Sequence, residues 1–227
     1  FPHFKISSSL HYYAERSSQC AEYLIKNGFI SEIISLLSLS SDKGSDIDNS
    51  ENEDNFLDYI LCAGSICDFS KYGEQLLPLC SVFTTIITNE TDWKIQCETI
   101  NSLSILLKNV EIAAKAFLLN GSFLNDLISP SRCESNLYYL TSVINLIGSL
   151  LVYSKLLDEE LLQKFLLIFS TSLISFKDKC DNDNSFEACI KLIANALTDG
   201  CSDDNPDFPQ QCLDSGIIPA LFEIFYG

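Results

Sequence analysis

Histidine, the side chain most often used as a general acid or base, occurs in this chain only at His3 and His11. A Ser/His/Asp or Cys/His site needs an imidazole within hydrogen-bond reach of its nucleophile, so neither can form in the body of the chain. No phosphate-binding motif of the P-loop or GxGxxG type occurs. We therefore expect that the chain is not an enzyme and has neither catalytic nor cofactor-binding residues.

Metal-ligand spacings are equally weak. Cys62 and Cys67 are five residues apart, without the second pair that a structural zinc site needs, so we interpret them as core residues. The segment from Asp46 begins like a calcium loop, but Glu51 stands where the loop needs Gly and Leu57 where it needs the bidentate Glu. We expect no metal site.

The chain is strongly acidic, with 14 Lys and Arg against 31 Asp and Glu and a formal charge of −17. A surface of that sign repels nucleic-acid phosphates and anionic lipids, so we expect neither partner. Residues 41–55, SDKGSDIDNSENEDN, carry six acidic side chains against one Lys. We interpret this segment as a solvated acidic loop, with recognition of a basic protein partner as the alternative.

Two apolar stretches, 139–153 and 161–176, come closest to membrane spans. Neither reaches the roughly 18 uninterrupted apolar residues that a bilayer requires, so we predict core helices and no membrane insertion. The ten cysteines form no CxxC pair, which favours buried thiols in a reducing compartment. We expect a cytoplasmic protein, with the nucleus left open; sequons at 89–91 and 120–122 would argue for secretion, but they count for little without a signal peptide in view.

The elements that position these side chains are predicted to be helices, because the chain is 47% hydrophobic with only 9 Gly and 6 Pro. In KAFLLNGSFLNDLI, residues 115–128, an apolar run stops at Asn-Gly and a second run begins in another phase. The same break occurs at Gly28 and Gly216, which lie 93 residues before and 95 after Gly121. Since Gly adopts a left-handed conformation without a Cβ penalty, we predict a left-handed helix end at all three.

Each of these spacings is about twice the period of 40 to 47 residues that marks paired-helix repeats, so two intermediate units are implied. We place them at 56–88 and 134–176. In the first, we expect Leu79 and Cys80 to take the place of the glycine turn.

Two segments resemble the armadillo-repeat family: IQCETINSLSILLKNVEIAAKAFLLNGSF at 95–123, and FEACIKLIANALTDG at 186–200 followed by DSGIIPALFEIF. The likeness covers roughly residues 17–227. It implies an all-α fold, a right-handed α-solenoid of about five repeats within one domain, residues 1–227. The expected repeats are approximately 7–38, 56–88, 92–129, 134–176 and 184–227. Because the chain begins inside what looks like a preceding unit, we expect it to be a segment of a longer protein.

The resemblance also implies a groove lined by the third helix of each repeat, in which a peptide or a partner domain lies. Aligned on that pattern, the candidate recognition residues are Glu98, Asn101, Asn145, Lys191 and Asn195. Polar side chains within apolar helices must bond inside or face such a groove, so internal capping of a loop carbonyl remains the alternative for the three Asn residues. The Trp–Asn ladder of nuclear-import members is absent, and Trp93 is interpreted as a packed aromatic just before its helix.

These observations leave two functional hypotheses. The first is a non-enzymatic interaction scaffold or adaptor that binds a protein in the groove. The second is a regulator of a nucleotide-binding partner, of the Hsp70 or small-GTPase exchange-factor type, which the resemblance also allows. An exchange factor accelerates nucleotide release from its purified partner, whereas a scaffold does not.

Overall fold

The computed structural model describes residues 12, 14, 16–41, 50–119, 121–133, 136–179, 183–201 and 205–226, and every regular element within them is helical. The predicted all-α fold class is thus confirmed. The contacts within the chain divide it into two compact units, Phe1–Phe117 and Leu118–Gly227, here called unit 1 and unit 2. His3 and His11 lie outside the described residues.

Unit 1 is built from long helices stacked in two rows. Its described helices are α1 (Ser18–Lys26), α2 (Phe29–Ser41), α3 (Ser50–Ile66), α4 (Gly73–Asn89), α5 (Trp93–Asn109) and α6 (Glu111–Leu118), with a 3-10 helix at Ser70–Tyr72. Helix α2 packs against α4, α3 packs against α5, and α2–α3 and α4–α5 contacts join the rows. Ile33, Ile60 and Phe83 are fully buried between them, so the rows share an apolar core.

Unit 2 repeats this pattern with different lengths. Its described helices are α7 (Gly121–Leu127), α8 (Pro130–Cys133), α9 (Leu137–Leu151), α10 (Glu159–Lys179), α11 (Asp183–Gly200), α12 (Phe208–Asp214) and α13 (Ile217–Tyr226), with a 3-10 helix at Ser154–Leu156. Helix α9 packs against α11, and α10 packs against α11 and α13. Phe165, Phe169 and Phe208 are fully buried and form the aromatic part of the core.

The same order of elements therefore occurs twice. A long helix, a 3-10 helix and two further long helices make up α3 to α5 in unit 1 and α9 to α11 in unit 2. In unit 1, α3 packs on α5, and the intervening α4 contacts α5. In unit 2, α9 packs on α11, and the intervening α10 contacts α11.

Two of the three predicted glycine breaks are confirmed in detail. Gly28 and Gly216 have φ of +82° and +80°, the left-handed conformation that permits an abrupt turn between short helices. The preceding side chains support these turns, since Asn27 Nδ2 donates to Tyr23 O at 2.7 Å and Ser215 Oγ donates to Cys212 O at 2.9 Å. The left-handed prediction is wrong at Gly121, which begins α7 without a positive φ.

Two further local predictions are wrong. Leu79 and Cys80 lie inside α4, and the chain instead breaks between Ile66 and Gly73, where Cys67 donates its backbone N–H to Gly64 O. The predicted acidic loop at 41–55 is wrong for its described residues, because Ser41 ends α2 and the residues from Ser50 onward belong to α3. Residues 42–49 lie outside the described part.

The two apolar stretches at 139–153 and 161–176 form most of α9 and α10, as predicted. Among the described residues, no helix combines the length and the apolarity needed to cross a bilayer.

Candidate protein-interaction face

The predicted groove helices meet in pairs at residues with small side chains. In unit 1, a Cβ added to Gly64 on α3 would lie 2.6 Å from Ser102 Oγ on α5, and Ser102 Oγ donates a hydrogen bond to Ile60 O at 3.3 Å. Farther along, Asn109 Nδ2 donates to Asp68 Oδ1 at 3.0 Å. Because both contacts advance in the same direction along both helices, α3 and α5 run parallel.

Unit 2 has a corresponding contact. A Cβ on Gly148 of α9 would lie 3.0 Å from Ala196 Cβ on α11, and Ser154 Oγ, just beyond α9, donates to Gly200 O at 3.3 Å. Helices α9 and α11 are therefore also parallel.

The two contacts differ by one helical turn relative to the predicted groove positions. In the alignment, Leu61 and Asn101 hold the first of two groove positions four residues apart, and Asn145 and Asn195 hold the second. Gly64 follows Leu61 by three residues and meets the residue after Asn101, whereas Gly148 follows Asn145 by three residues and meets the residue after Asn195. Periodicity analysis missed both contacts, although small residues inside apolar helices could have indicated them.

On α5, one narrow band of side chains reaches the surface. It consists of Lys94, Glu98, Asn101, Ile105 and Lys108, which we call the α5 stripe. Their spacing of three or four residues places them on one helix face. The positions between them are buried apart from the half-buried Gln96, so the stripe is what α5 offers to a partner.

Asn101, at the centre of the stripe, has an unsatisfied polar atom. Its Oδ1 is buried and accepts no hydrogen bond from any described residue, although the residue as a whole is half-buried. An unpaired buried acceptor costs about 1–3 kcal/mol, so a donor supplied by a partner would recover that energy. The terminal amide torsion of Asn is broad, so a modest rotation can turn this oxygen toward an incoming N–H group.

Glu98, one turn earlier, is half-buried and forms no hydrogen bond or ion pair with a described residue. Lys94 lies four residues before it, but helix pairs at this spacing are stronger when the acid precedes the base. The helical pairs that do form, such as Glu111–Lys115, have the acid first. Glu98 is therefore a carboxylate held near the surface without a counterion.

The corresponding residues of unit 2 are placed differently. Lys191 Nζ on α11 lies 2.6 Å from Glu187 Oε1, and this hydrogen bond holds the pKa of Glu187 below its usual 4.5. Asn195 on α11 is exposed, and Asn145 on α9 is half-buried. No described residue accepts a hydrogen bond from the side chain of Asn101, Asn145 or Asn195, so the internal capping alternative gains no support.

The five predicted recognition residues are thus distributed over both units. Glu98 and Asn101 share the α5 stripe in unit 1, while Asn145, Lys191 and Asn195 lie on the packed pair α9 and α11 in unit 2. Trp93 is the first residue of α5 and not, as predicted, just before it; with 49% of its surface exposed, it is only half packed.

Most of the described thiols are core side chains, whereas Cys20 is half-buried and Cys201 is exposed. Cys62 and Cys67 are fully buried, as predicted, and burial raises the pKa of Cys62 to about 12 and that of Cys67 well above its usual range. Thiols in such surroundings resist the deprotonation that metal ligation requires. Within the described ranges, no three His, Cys, Asp or Glu side chains cluster as metal ligands would.

Searches of protein-family models, of curated proteins and of solved structures with this chain find no match.

Proposed function

We propose that this chain is a non-enzymatic interaction scaffold, an armadillo-like α-solenoid of about five repeats that binds a protein partner along the row of its third helices. In this assignment α3, α5, α9 and α11 are third helices, and α2, α4, α10 and α13 are second helices. The packing of α2 on α4 and of α10 on α13 supports it, because second helices stack on second helices in such a repeat array.

The glycine turns and the small-residue contacts support the same assignment. Gly28 and Gly216 each separate a short first helix from a second helix. The contacts of Gly64 with Ser102 and of Gly148 with Ala196 each bring two parallel helices close together through small residues. Repeat units that stack on their neighbours need such close packing.

The observation that carries the interaction role is the state of the α5 stripe. Among the described residues, the half-buried carboxylate of Glu98 has no counterion and the buried amide oxygen of Asn101 has no donor. Folding alone leaves both groups unsatisfied, whereas an adjacent protein segment with N–H donors would satisfy them.

Site-specific photo-crosslinking tests this function. A photoreactive phenylalanine analogue replaces Ile105, which is 38% exposed on the α5 stripe, or Leu167, which is 58% exposed on α10, as the control position. In extract of the source cells, we expect the protein labelled at position 105 to capture a defined partner, and the protein labelled at position 167 not to capture it.

The captured partner is then purified, and its affinity for variants is measured. Replacing Glu98, Asn101, Asn145, Lys191 and Asn195 together by Ala should weaken binding at least about tenfold, since hot-spot residues dominate interfaces. A control variant replaces exposed residues away from the third-helix faces, namely Glu74, Asn89, Asn125 and Lys155. Equal capture at both positions, or unchanged affinity of the five-residue variant, would refute the proposal.

A further inference from the structure

The cysteines of the described residues include three close pairs. Burial raises the pKa of Cys62, Cys67 and Cys212, and in each case the negative charge of a neighbouring thiolate raises it further. The pairs defined by these neighbours are Cys20–Cys62, Cys67–Cys80 and Cys201–Cys212. Two thiols that lie close together can be joined as a disulfide when an oxidant reaches one of them.

The two pairs of unit 1 are poorly accessible. Cys67 and Cys80 are both buried, and Cys67 Sγ donates a hydrogen bond to Ala63 O at 3.1 Å. Cys62 is fully buried, and its neighbour Cys20 is half-buried on the short helix α1. Buried thiols in apolar surroundings are chemically inert, so these pairs are internal references for a more accessible one.

The pair in unit 2 differs because Cys201 is exposed. Cys201 directly follows Gly200, the last residue of α11, and a Cβ added to Gly200 would lie 2.6 Å from Cζ of Phe208 on α12. Cys212 follows Phe208 by one helical turn, and these two are the buried side chains of α12. The end of α11 therefore lies against the α12 face that carries Cys212, which places an accessible thiol beside a buried one.

Helix α12 can adjust to a new covalent bond. It has only seven residues, Phe208–Asp214, and its main contact is with α13. An element with so few buried side chains opens locally at a low free-energy cost. Small displacements of this helix therefore allow the two Cα atoms to reach the separation of about 4.4–6.8 Å that a disulfide requires.

We propose that Cys201 and Cys212 form a modification site, at which a hydroperoxide oxidises the two thiols to a disulfide that links the end of α11 to α12. The exposed thiol reacts first, as in redox-sensor sites where an accessible cysteine stands beside a resolving one. The modification does not depend on the partner that the scaffold binds. Thiol reductants reverse it, as expected for a transient disulfide in a reducing compartment.

The reaction has two steps. The sulfur of Cys201 attacks one peroxide oxygen: an S–O bond forms, the O–O bond breaks, and the other oxygen leaves with the thiol proton as water or an alcohol. The sulfur of Cys212 then attacks the sulfenic sulfur of Cys201: the S–S bond forms, the S–O bond breaks, and the hydroxide leaves with the proton of Cys212 as water. The two thiols together lose two electrons, which the peroxide gains.

Mass spectrometry of the full chain tests this proposal, because trypsin places both thiols in one peptide. Trypsin cuts after Lys191, and residues 192–227 contain no further Lys or Arg and no other Cys. The reduced chain is treated with a small molar excess of hydrogen peroxide, and its remaining thiols are alkylated with N-ethylmaleimide in denaturant before digestion. We expect the peptide 192–227 to be lighter by two hydrogen atoms and to carry no alkyl group. Dithiothreitol should restore both thiols.

A second digestion locates the bond. Endoproteinase Asp-N cleaves before Asp207, between the two cysteines. The fragments that contain Cys201 and Cys212 should stay joined after oxidation and separate after reduction.

Variants identify the role of each thiol. Cys201→Ser and Cys212→Ala should each abolish the disulfide. In Cys212→Ala the oxidised Cys201 should persist as a sulfenic acid that dimedone traps, whereas the unmodified chain should yield little of this adduct. Cys20→Ser removes the half-buried thiol of a unit 1 pair and is the matched control, so it should leave the yield of the disulfide unchanged.

The contrary outcomes are equally specific. Oxidation of either thiol pair of unit 1 before Cys201–Cys212 would overturn the proposal. A disulfide between two chains through Cys201, or a sulfenic acid that accumulates in the unmodified chain without the internal bond, would do the same. Circular dichroism verifies the folding of each variant, and Cys201→Ser, at an exposed site, decides the test where Cys212→Ala does not fold. Crosslinking at position 105 is a separate measurement, so failure of this proposal leaves the scaffold function standing.

Discussion

Units 1 and 2 each place a glycine at the contact of a parallel helix pair, α3–α5 and α9–α11, but different side chains face it. Gly64 meets the hydroxyl of Ser102, which is hydrogen-bonded to Ile60 O, whereas Gly148 meets the methyl group of Ala196. Both solutions bring two helix backbones close together. In both units, therefore, the two helix backbones approach closely at the glycine, although the facing side chain is polar in unit 1 and apolar in unit 2.

The exposed faces beside these contacts diverge further. In the described part of unit 1, Glu98 has no counterion and Asn101 Oδ1 has no donor. In unit 2, Lys191 is already paired with Glu187 within α11. Among the described residues, each unit has one buried acceptor without a donor, Asn101 Oδ1 in unit 1 and Gln211 Oε1 in unit 2. In unit 1 that acceptor lies one helical turn from Glu98, and we expect the stronger binding determinant there.

The largest expected effect tests whether the two units are separate folding units. Phe83 on α4 and Phe169 on α10 are fully buried in corresponding helices, so replacing either by Ala should cost about 3–5 kcal/mol. Trp93, the only Trp, lies in unit 1 and its fluorescence reports unfolding there. We expect Phe83→Ala to shift the Trp93 transition in urea and Phe169→Ala to leave it in place.

Hydrogen exchange followed by mass spectrometry provides the complementary measurement, because it reports both units in one experiment. Loss of protection should be confined to the unit that carries the substitution. The conservative variants Phe83→Leu and Phe169→Leu serve as controls and should show smaller losses. Equal shifts of the Trp93 transition for Phe83→Ala and Phe169→Ala would mean that the units unfold together.

The glycine contacts provide the next test. In Gly64→Ala the new Cβ would lie 2.6 Å from Ser102 Oγ and 3.1 Å from Ser102 Cβ, so we expect a loss of about 1–3 kcal/mol. In Gly148→Ala the shortest distance is 3.0 Å, and Ala gains about 0.5–1 kcal/mol over Gly within a helix, so the net loss should be smaller.

Compensating substitutions check the cause of each loss by a double-mutant cycle in urea unfolding. Ser102→Gly should restore most of the stability lost in Gly64→Ala, and Ala196→Gly should do so for Gly148→Ala. If neither partner substitution shows coupling with its glycine, the losses do not arise from these contacts.

The sequence predicted the helical class and the left-handed turns at Gly28 and Gly216, because apolar periodicity and glycine stereochemistry act locally. It failed where the outcome depended on contacts across the fold. No prediction was made for Gly64 and Gly148, since a glycine inside an apolar helix does not by itself show which second backbone approaches it. The break that precedes Gly73 was predicted at Leu79 and Cys80 instead. The alignment with the repeat pattern placed the expected glycine turn inside helix α4.

The predictions for the candidate site likewise succeeded for local features and failed for features that depend on contacts across the fold. The alignment that selected Glu98 and Asn101 found residues on one surface stripe, because helical spacing is local information. The pairing of Lys191 could have been predicted, since Glu187 precedes it by four residues in the favourable order. The unsatisfied Oδ1 of Asn101 could not, because its burial depends on the side chains of the whole packed pair.

Alkaline pH should distinguish the units through their buried thiols. Burial raises the pKa of Cys62 to about 12 and of Cys80 to about 11 in unit 1, and of Cys212 to about 11 in unit 2, from an ordinary 9.0. These groups do not affect folding below pH 9. Above it, the unfolded chain ionises first, so stability falls by about 1.4 kcal/mol per pH unit for each thiol until the folded pKa is reached.

We expect the free energy of unfolding that Trp93 fluorescence reports to fall steeply between pH 9 and 10. In Cys62→Ala, the slope of this free energy against pH should be shallower. Cys201→Ala, which removes an exposed thiol of unit 2, is the control and should leave the slope unchanged. A slope that is the same in Cys62→Ala and in the unmodified chain would show that Cys62 ionises as readily in the folded protein as in the unfolded one.

The smallest effect concerns two ion pairs at acid pH. The hydrogen bond from Lys71 lowers the pKa of Glu22 below 4.5, and the bond from Lys191 does the same for Glu187. A lowered folded pKa means that the stabilisation is present above pH 4.5 and is lost as the pH falls through the folded value. The melting temperatures of Glu22→Gln and of the unmodified chain should therefore differ at pH 7 and converge as the pH falls below 4.5 and through the folded pKa of Glu22.

The two pairs differ in what they connect, and this allows them to be separated. Glu22 and Lys71 join α1 to the 3-10 helix of unit 1, whereas Glu187 and Lys191 lie within one helix of unit 2. Glu22→Gln should thus increase hydrogen exchange at both ends of its contact, and Glu187→Gln only within α11. Because these side chains are exposed, molar salt should diminish both effects, and an acid effect that persists in salt would have to come from other carboxylates.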